Sequence, residues 1–167
     1  MSVYLPAFLT KQFAACNSQK DWFSPLGSAL DGLTAEQAAW KIDQTHCIWE
    51  LVNHLFFWNE RYYLRLTGAT VPPMEGDNKA TFATTTHTNE NWALMLHKLS
   101  ELMTAFEQEI GRCDEQKLDS FVSEQIKVKW CDILSNINIH NAYHIGQIVL
   151  LRKIQESWDA ARNGVAD

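Results

Sequence analysis

Two histidines four residues apart, His140 and His144, lie in the stretch KWCDILSNINIHNAYHIGQIVLLRK at residues 129–153. Side chains at positions i and i+4 are neighbours on a helix, so both imidazoles can reach a single point. The same helical face is otherwise apolar, with Ile137 and Ile148 at the expected spacing. A lone histidine in such a stripe is usually a core residue, whereas a spaced pair also fits a metal site. A metal site would need a further ligand from elsewhere in the chain.

A third histidine, His54, lies at the edge of the apolar stripe of another predicted helix, at residues 45–66. Neutral imidazole is a good ligand for zinc, nickel, copper or iron. Three protein ligands leave coordination positions free for water or substrate, as in catalytic sites, whereas structural zinc sites use four ligands rich in cysteine. The pattern therefore predicts that His54, His140 and His144 hold one divalent ion, with three buried core histidines as the alternative.

Two further polar residues are candidates to support this triad. Gln147 lies one turn after His144 and can hydrogen-bond a ligand or substrate, although an ordinary polar residue of the helix face is the competing interpretation. Glu50 lies one turn before His54 and can orient its imidazole, although a solvated carboxylate would look the same in the sequence. The nearby large aromatic residues are expected in the core: Trp49, Trp58 and Tyr143.

Composition indicates one globular domain and excludes several classes of partner. The 167 residues are 46% hydrophobic, enough for one core, and we take residues 1–167 as a single domain. The net charge of -6 and the lack of a Lys/Arg cluster argue against nucleic acid. No apolar run approaches the ~20 residues of a membrane span. The four cysteines form no CxxC pair and no signal peptide precedes them, which predicts reduced thiols in the cytoplasm.

Several common active-site motifs are absent from the chain. HExxH is missing, and no glutamate has a histidine three residues later, which disfavours zincin chemistry and a ferritin-like di-iron site. GxSxG, the P-loop and GxGxxG are missing as well, so the usual hydrolase and nucleotide-binding motifs do not apply. Haem attachment through CxxCH is also excluded.

Helical periodicity predicts an all-α bundle of four main helices, with no alternating strand pattern. Two short helical turns are also expected, one with Ser24 as N-cap and Pro25 as first residue, and one with a capping box of Thr34 and Gln37. A polar connection at residues 68–87 is long for a compact domain, which indicates a functional loop or a crossover. The predicted main helices lie at Leu5 to Phe13, residues 45–66, Thr88 to Gly111 and residues 129–153.

Three segments, WFSPLGSALDGLTAEQAAW, HCIWELVNHLFFWNERYYLRLTG and NIHNAYHIGQIVLLRK, resemble the DinB-like family of metalloenzymes, also called YfiT-like. The resemblance covers about residues 20 to 155, and the HxxxHxGQ run is its most specific part. It implies a four-helix bundle of up-down-down-up topology, with a long crossover between helices two and three. It also implies a metal triad at His54, His140 and His144, usually with zinc or nickel and in some members iron or manganese.

The resemblance also implies a range of activities. Characterised members are thiol-dependent, acting as transferases with bacillithiol, mycothiol or glutathione or as a mycothiol-dependent isomerase. Others are described as metal-dependent hydrolases, and many are homodimers. We therefore expect a small-molecule substrate, a low-molecular-weight thiol as second cofactor and a homodimer. The leading hypothesis is transfer of the thiol to a small electrophile. Hydrolysis by metal-bound hydroxide and a non-catalytic metal- or ligand-binding bundle are the open alternatives.

Overall fold

The computed structural model describes residues 4–84 and 86–164. The helices are, in chain order, α1 (Tyr4–Asn17), α2 (Leu26–Leu30), α3 (Ala35–Ala39), α4 (Ile48–Thr67), α5 (Asn89–Arg112), α6 (Glu115–Asp119), α7 (Trp130–Ile154) and α8 (Ala160–Asn163), with one 3-10 turn at Asn78–Phe82. Extended pairing within the described ranges is limited to an isolated bridge between Phe121 and Lys129. The predicted all-α fold is therefore confirmed.

Four of these helices, α1, α4, α5 and α7, are long and pack side by side around one core. Helices α1 and α5 run antiparallel. Asn17, at the end of α1, donates a 3.0 Å hydrogen bond to Glu107, whereas Thr10, seven residues earlier in α1, lies against Gly111, four residues later in α5. The rings of Phe13 and Phe106 meet edge to face between them, and both are fully buried.

Helices α4 and α5 are consecutive long helices that run parallel. Trp49 packs against Trp92 near their first turns, and Tyr63 packs against Phe106 further along both. Parallel neighbours need a connection that returns along the whole bundle, which explains why residues 68–88 between them are long. These directions are compatible with the up-down-down-up order implied by the resemblance.

Most predicted helix boundaries agree with the structure, and three differ. Helix α1 extends to Asn17, four residues beyond the predicted end at Phe13. The capping box of Thr34 and Gln37 is present in α3, and Gly68 ends α4 in the left-handed conformation that favours glycine. Helix α4, however, begins at Ile48 rather than near residue 45. Helix α2 has Pro25 rather than Ser24 at its N-cap, because the Ser24 hydroxyl donates instead to the carbonyl of Asn163.

The helices in the described ranges include none that is both long and apolar enough to cross a membrane. All four cysteines, Cys16, Cys47, Cys113 and Cys131, are free thiols.

Candidate metal centre

The three histidines singled out in the sequence meet where α4 packs against α7. His54 comes from α4, and His140 and His144 are stacked one turn apart on α7. The Nε2 atom of His140 lies 3.0 Å from Nε2 of His54 and 3.1 Å from Nε2 of His144. The candidate ligand atoms of all three lie within 4.8 Å of one another. The bundle therefore brings three imidazole nitrogens to one point.

Hydrogen bonds to the opposite ring nitrogens fix which nitrogen faces that point. The Thr81 hydroxyl donates its single proton to the carbonyl of Asn78, at 2.7 Å, so it accepts from Nδ1 of His54, at 2.6 Å. The Nδ1 atom of His144 likewise lies 2.7 Å from Oε1 of Gln147, an acceptor. Both rings therefore carry their proton on Nδ1 and direct an Nε2 lone pair toward the cluster.

A cation fits this arrangement better than protons do. One proton on Nε2 of His140 can bridge fully to only one of the two neighbouring lone pairs, which leaves the other facing nitrogen without a donor. A single divalent ion accepts all three lone pairs at once. Zinc–nitrogen distances of about 2.0–2.1 Å in a tetrahedron need nitrogens about 3.3 Å apart, close to the separations from His140. The donor set is therefore suited to a borderline ion such as zinc or nickel.

Burial keeps these imidazoles neutral. It lowers the pKa of His54 to about 3, with the charges of His144 and His140 adding to the effect, and it lowers the pKa of His140 to about 4. Burial also lowers the pKa of His144, against the opposing effect of the hydrogen bond to Gln147. Neutral nitrogens at physiological pH are ready to bind a metal, because no proton has to be displaced from a charged ring.

The long connection between α4 and α5 supplies the residues that cover His54. Phe82 stacks flat on the His54 ring, with centroids 3.9 Å apart, and also on the ring of His46, which precedes α4, with centroids 4.0 Å apart. The amide of Asn53 donates a 2.6 Å hydrogen bond to the carbonyl of Ala83, which ties the segment to α4. The crossover is therefore part of the site and not only a connector.

Glu50 does not occupy the place predicted for it beside His54. Its carboxylate accepts from the backbone nitrogen of Cys47 at 3.0 Å and pairs with Lys41 at 2.6 Å and with His46 at 3.2 Å. Glu50 is the third residue of α4, so its geometry favours capping the helix start over reaching one turn along it. The Nδ1 position of His54 is held by Thr81 instead.

The three histidines form the floor of an open cleft of about 460 Å³. Among the described residues, its walls contain no charged side chain, and their polar groups other than the histidines include the amides of Asn78 and Asn136. The apolar and aromatic wall residues are Trp58, Tyr62, Phe82, Ile133, Ile137 and Tyr143. Such a surface suits a neutral or aromatic small molecule.

Sequence reasoning found the histidines but missed part of their surroundings. Trp49 is buried as predicted, whereas Trp58 and Tyr143, also expected in the core, line the cleft. Thr81 and Phe82 were not singled out, because their contact with His54 depends on the path of a connection 27 residues further along the chain. The one feature of the sequence that pointed to these two residues was the unusual length of the connection that contains them.

The fold and the cluster together define an all-α protein with a three-histidine site suited to a divalent metal. A model described as the DinB superfamily matches residues 26–148, which is most of the chain and includes all three histidines, so the chain belongs to that superfamily. No curated protein and no solved structure matches it.

Proposed function

We propose that this protein is a metal-dependent enzyme that transfers a low-molecular-weight thiol to a small electrophile. The observation that carries the proposal is the convergence of three Nε2 atoms at the floor of an open, uncharged cleft. Three neutral ligands leave the charge of a divalent ion uncompensated, so an anionic further ligand is favoured. Thiolate is a good match for zinc or nickel, and iron or manganese are further candidates for the ion.

His54, His140 and His144 would hold the ion, which when bound supplies a Lewis acid and a positive charge that stabilise a deprotonated thiol. Thr81 and Gln147 orient two of the imidazoles through their Nδ1 atoms. Phe82 covers one face of the His54 ring, and the other aromatic wall residues form an apolar surface beside it.

The reaction forms a bond from the sulfur of the thiol to a carbon of the electrophile. The leaving group departs with the bonding electron pair, and the thiol proton passes to solvent. Conjugation of this kind needs an oriented nucleophile and a pocket for the electrophile, and little acid–base machinery. The uncharged walls of the cleft, which present amides and aromatic rings, support that requirement.

The metal comes first in the test. Protein purified without an affinity tag should contain one divalent ion per chain, measured by elemental analysis. His54→Ala should lose the ion, because it removes one of three ligands. His97→Ala is the matched control, since that imidazole is exposed on α5 and pairs only with Glu101 among the described residues. Full stoichiometry and unchanged affinity in His54→Ala would exclude His54 as a ligand.

The thiol is tested with 1-chloro-2,4-dinitrobenzene, a neutral aromatic electrophile, in the presence and absence of a panel of low-molecular-weight thiols. We expect metal-dependent product only when a thiol is present. Fast metal-dependent turnover without any thiol would replace the transferase with a hydrolase. No turnover with any thiol or in its absence would favour a non-catalytic binding role.

We also propose that two copies of the chain associate in the cytoplasm through the outer face of α7. Four exposed apolar side chains share that face, namely Ile139, Tyr143, Leu150 and Ile154, with exposed fractions of 66%, 62%, 58% and 47%. Tyr143 also lines the cleft, so the face borders the site. Sedimentation should give a dimer that Leu150→Glu dissociates, and a ~19 kDa species alone at high concentration would contradict this.

A further inference from the structure

Two arginines on α4 lie in line with His54. Residues His54, Trp58, Arg61 and Arg65 are spaced i, i+4, i+7 and i+11, which places them on one helical face. With a rise of 1.5 Å per residue, Arg61 lies about 10 Å and Arg65 about 16 Å along the axis from His54. The cleft extends in this direction, because Trp58 and Tyr62 form its wall beyond the histidines.

Aromatic rings hold both guanidinium groups in place. The Cζ atom of Arg65 lies 5.0 Å from the ring centroid of Tyr62, a residue of the cleft wall. The Cζ atom of Arg61 lies 5.2 Å from the ring of Phe57, and one of its nitrogens donates a 2.7 Å hydrogen bond to the carbonyl of Pro72. Stacking of this kind orients a flat guanidinium while leaving most of its N–H donors free for a planar acceptor.

Neither guanidinium has a carboxylate partner within the described parts of the chain. The ion pairs there use other cations, namely Lys41, Arg112, Lys129, Arg162 and two histidines. Arg65 has one long hydrogen bond, 3.5 Å to the carbonyl of Arg61, although each guanidinium offers five donors. Burial and the nearby charge of Arg61 lower the pKa of Arg65. The chain has a net charge of -6, yet these two half-buried positive charges form no ion pair with a carboxylate of residues 4–84 or 86–164.

We propose that Arg61 and Arg65 form an anion subsite that binds a carboxylate of the cleft ligand, so that the preferred thiol carries a carboxylate about 10 Å or more from its sulfur. This rests on the proposed function, with the sulfur at the histidine end. Three extended residues span about 10 Å, so a thiol whose sulfur and carboxylate are separated by a chain of that length reaches from one end to the other. The arginine fork matches a carboxylate through two parallel hydrogen bonds, and the uncharged walls between the ends give no competing anion site.

The test compares S-methylglutathione, which cannot react, with its dimethyl ester, which has the same length but masked carboxylates. Binding to zinc-loaded and to EDTA-treated protein is measured by isothermal titration calorimetry. We expect the acid to bind about tenfold more tightly than the ester, as for a charge-assisted contact, in both states of the protein. The preference should weaken as salt is raised.

Substitutions assign that preference to the two arginines. Arg61→Gln with Arg65→Gln should abolish the difference between acid and ester, with the far-UV circular dichroism and zinc content unchanged. Arg112→Gln is the matched control, because that guanidinium is exposed and pairs with Glu109 on α5, away from the cleft. Lysine at both positions should restore part of the preference, since it keeps the charge and loses the fork.

Equal binding of acid and ester, absence of binding, or a preference that survives the double substitution would each overturn the subsite. These outcomes are separate from the fate of the proposed function. Thiol turnover without any acid preference would remove the subsite and keep the transferase. An arginine-dependent acid preference without turnover would keep the subsite and remove the transferase.

Discussion

A reciprocal amide pair, Asn59 on α4 and Asn141 on α7, joins the two helices that carry the histidines. The side-chain amide of Asn59 donates to Oδ1 of Asn141 at 2.8 Å, and that of Asn141 donates to Oδ1 of Asn59 at 3.1 Å. Both residues are almost fully buried, with exposed fractions of 1% and 0%. Nδ2 of Asn59 also donates to the carbonyl of Leu55 at 2.8 Å. We expect both residues to contribute strongly to stability, and Asn59 more than Asn141.

The inequality follows from the atoms that each substitution leaves unpaired. Asn59→Ala orphans both polar atoms of Asn141, whereas Asn141→Ala orphans only Oδ1 of Asn59, because Nδ2 keeps its bond to Leu55. A buried polar group without a partner costs about 1–3 kcal/mol. Asn59→Ala should therefore lower the free energy of unfolding by about 2–6 kcal/mol, and Asn141→Ala by about 1–3 kcal/mol. The double variant removes both side-chain amides, so none of these three unpaired groups remains, and it should cost at least about 3 kcal/mol less than the sum.

Urea denaturation of EDTA-treated protein, followed by tryptophan fluorescence and by circular dichroism, measures these differences. Asn136→Ala on the exposed side of α7 is the control and should change stability by less than about 0.5 kcal/mol. Equal effects of the two single substitutions, or a double variant that equals their sum, would refute the assignment of these hydrogen bonds.

Three further predictions concern the site and its supports. Thr81→Val should weaken zinc binding about 10–100-fold in a chelator competition titration, because the Nδ1 proton of His54 loses its acceptor, while Thr81→Ser should not; equal affinities would contradict this. The pKa values of His54 and His140, about 3 and about 4, lie below the ordinary 6.5, so the unfolded chain binds protons first as pH falls. Metal-free protein should therefore lose stability progressively from pH 6.5 toward pH 4 in urea titrations, and a flat profile would be inconsistent with buried neutral rings. Glu50→Gln should lower stability by about 1 kcal/mol through the weakened cap on Cys47 and leave zinc affinity unchanged; a loss of affinity would restore Glu50 to the site.

The parts of the site that the sequence predicts are those governed by helical spacing. His140 and His144 lie on one face of α7 however that helix packs in the bundle, because residues four apart are neighbours on a helix. Gln147 contacts His144 for the same reason, since residues three apart are also neighbours. His54 was identified from its place at the edge of an apolar stripe. Spacing alone also suggested Glu50, and it was wrong there because a residue in the first helical turn also competes for unpaired backbone donors.

The parts that the sequence does not predict depend on segments without periodicity. Thr81 and Phe82 lie in a 3-10 turn within the crossover, where no repeat of apolar residues indicates which side chains face α4. Trp58 and Tyr143 are large aromatic residues of the kind expected in a core. They line a cleft instead, because α4 and α7 leave an opening between them. The all-α class, in contrast, follows directly from four long amphipathic segments.

The helices and the crossover contribute different parts of the site, so the two can change independently during evolution. The candidate ligands are fixed on α4 and α7, while the acceptor for His54 and the ring stacked on it both come from the turn at Asn78–Phe82. That turn is a short segment that the Asp77 side chain caps at its start and that the hydrogen bond from Asn53 to the carbonyl of Ala83 attaches to α4. Exchanging it alone would change the basicity and accessibility of His54 most directly, because the Nδ1 partner of His144 is Gln147 on α7 and does not come from the turn.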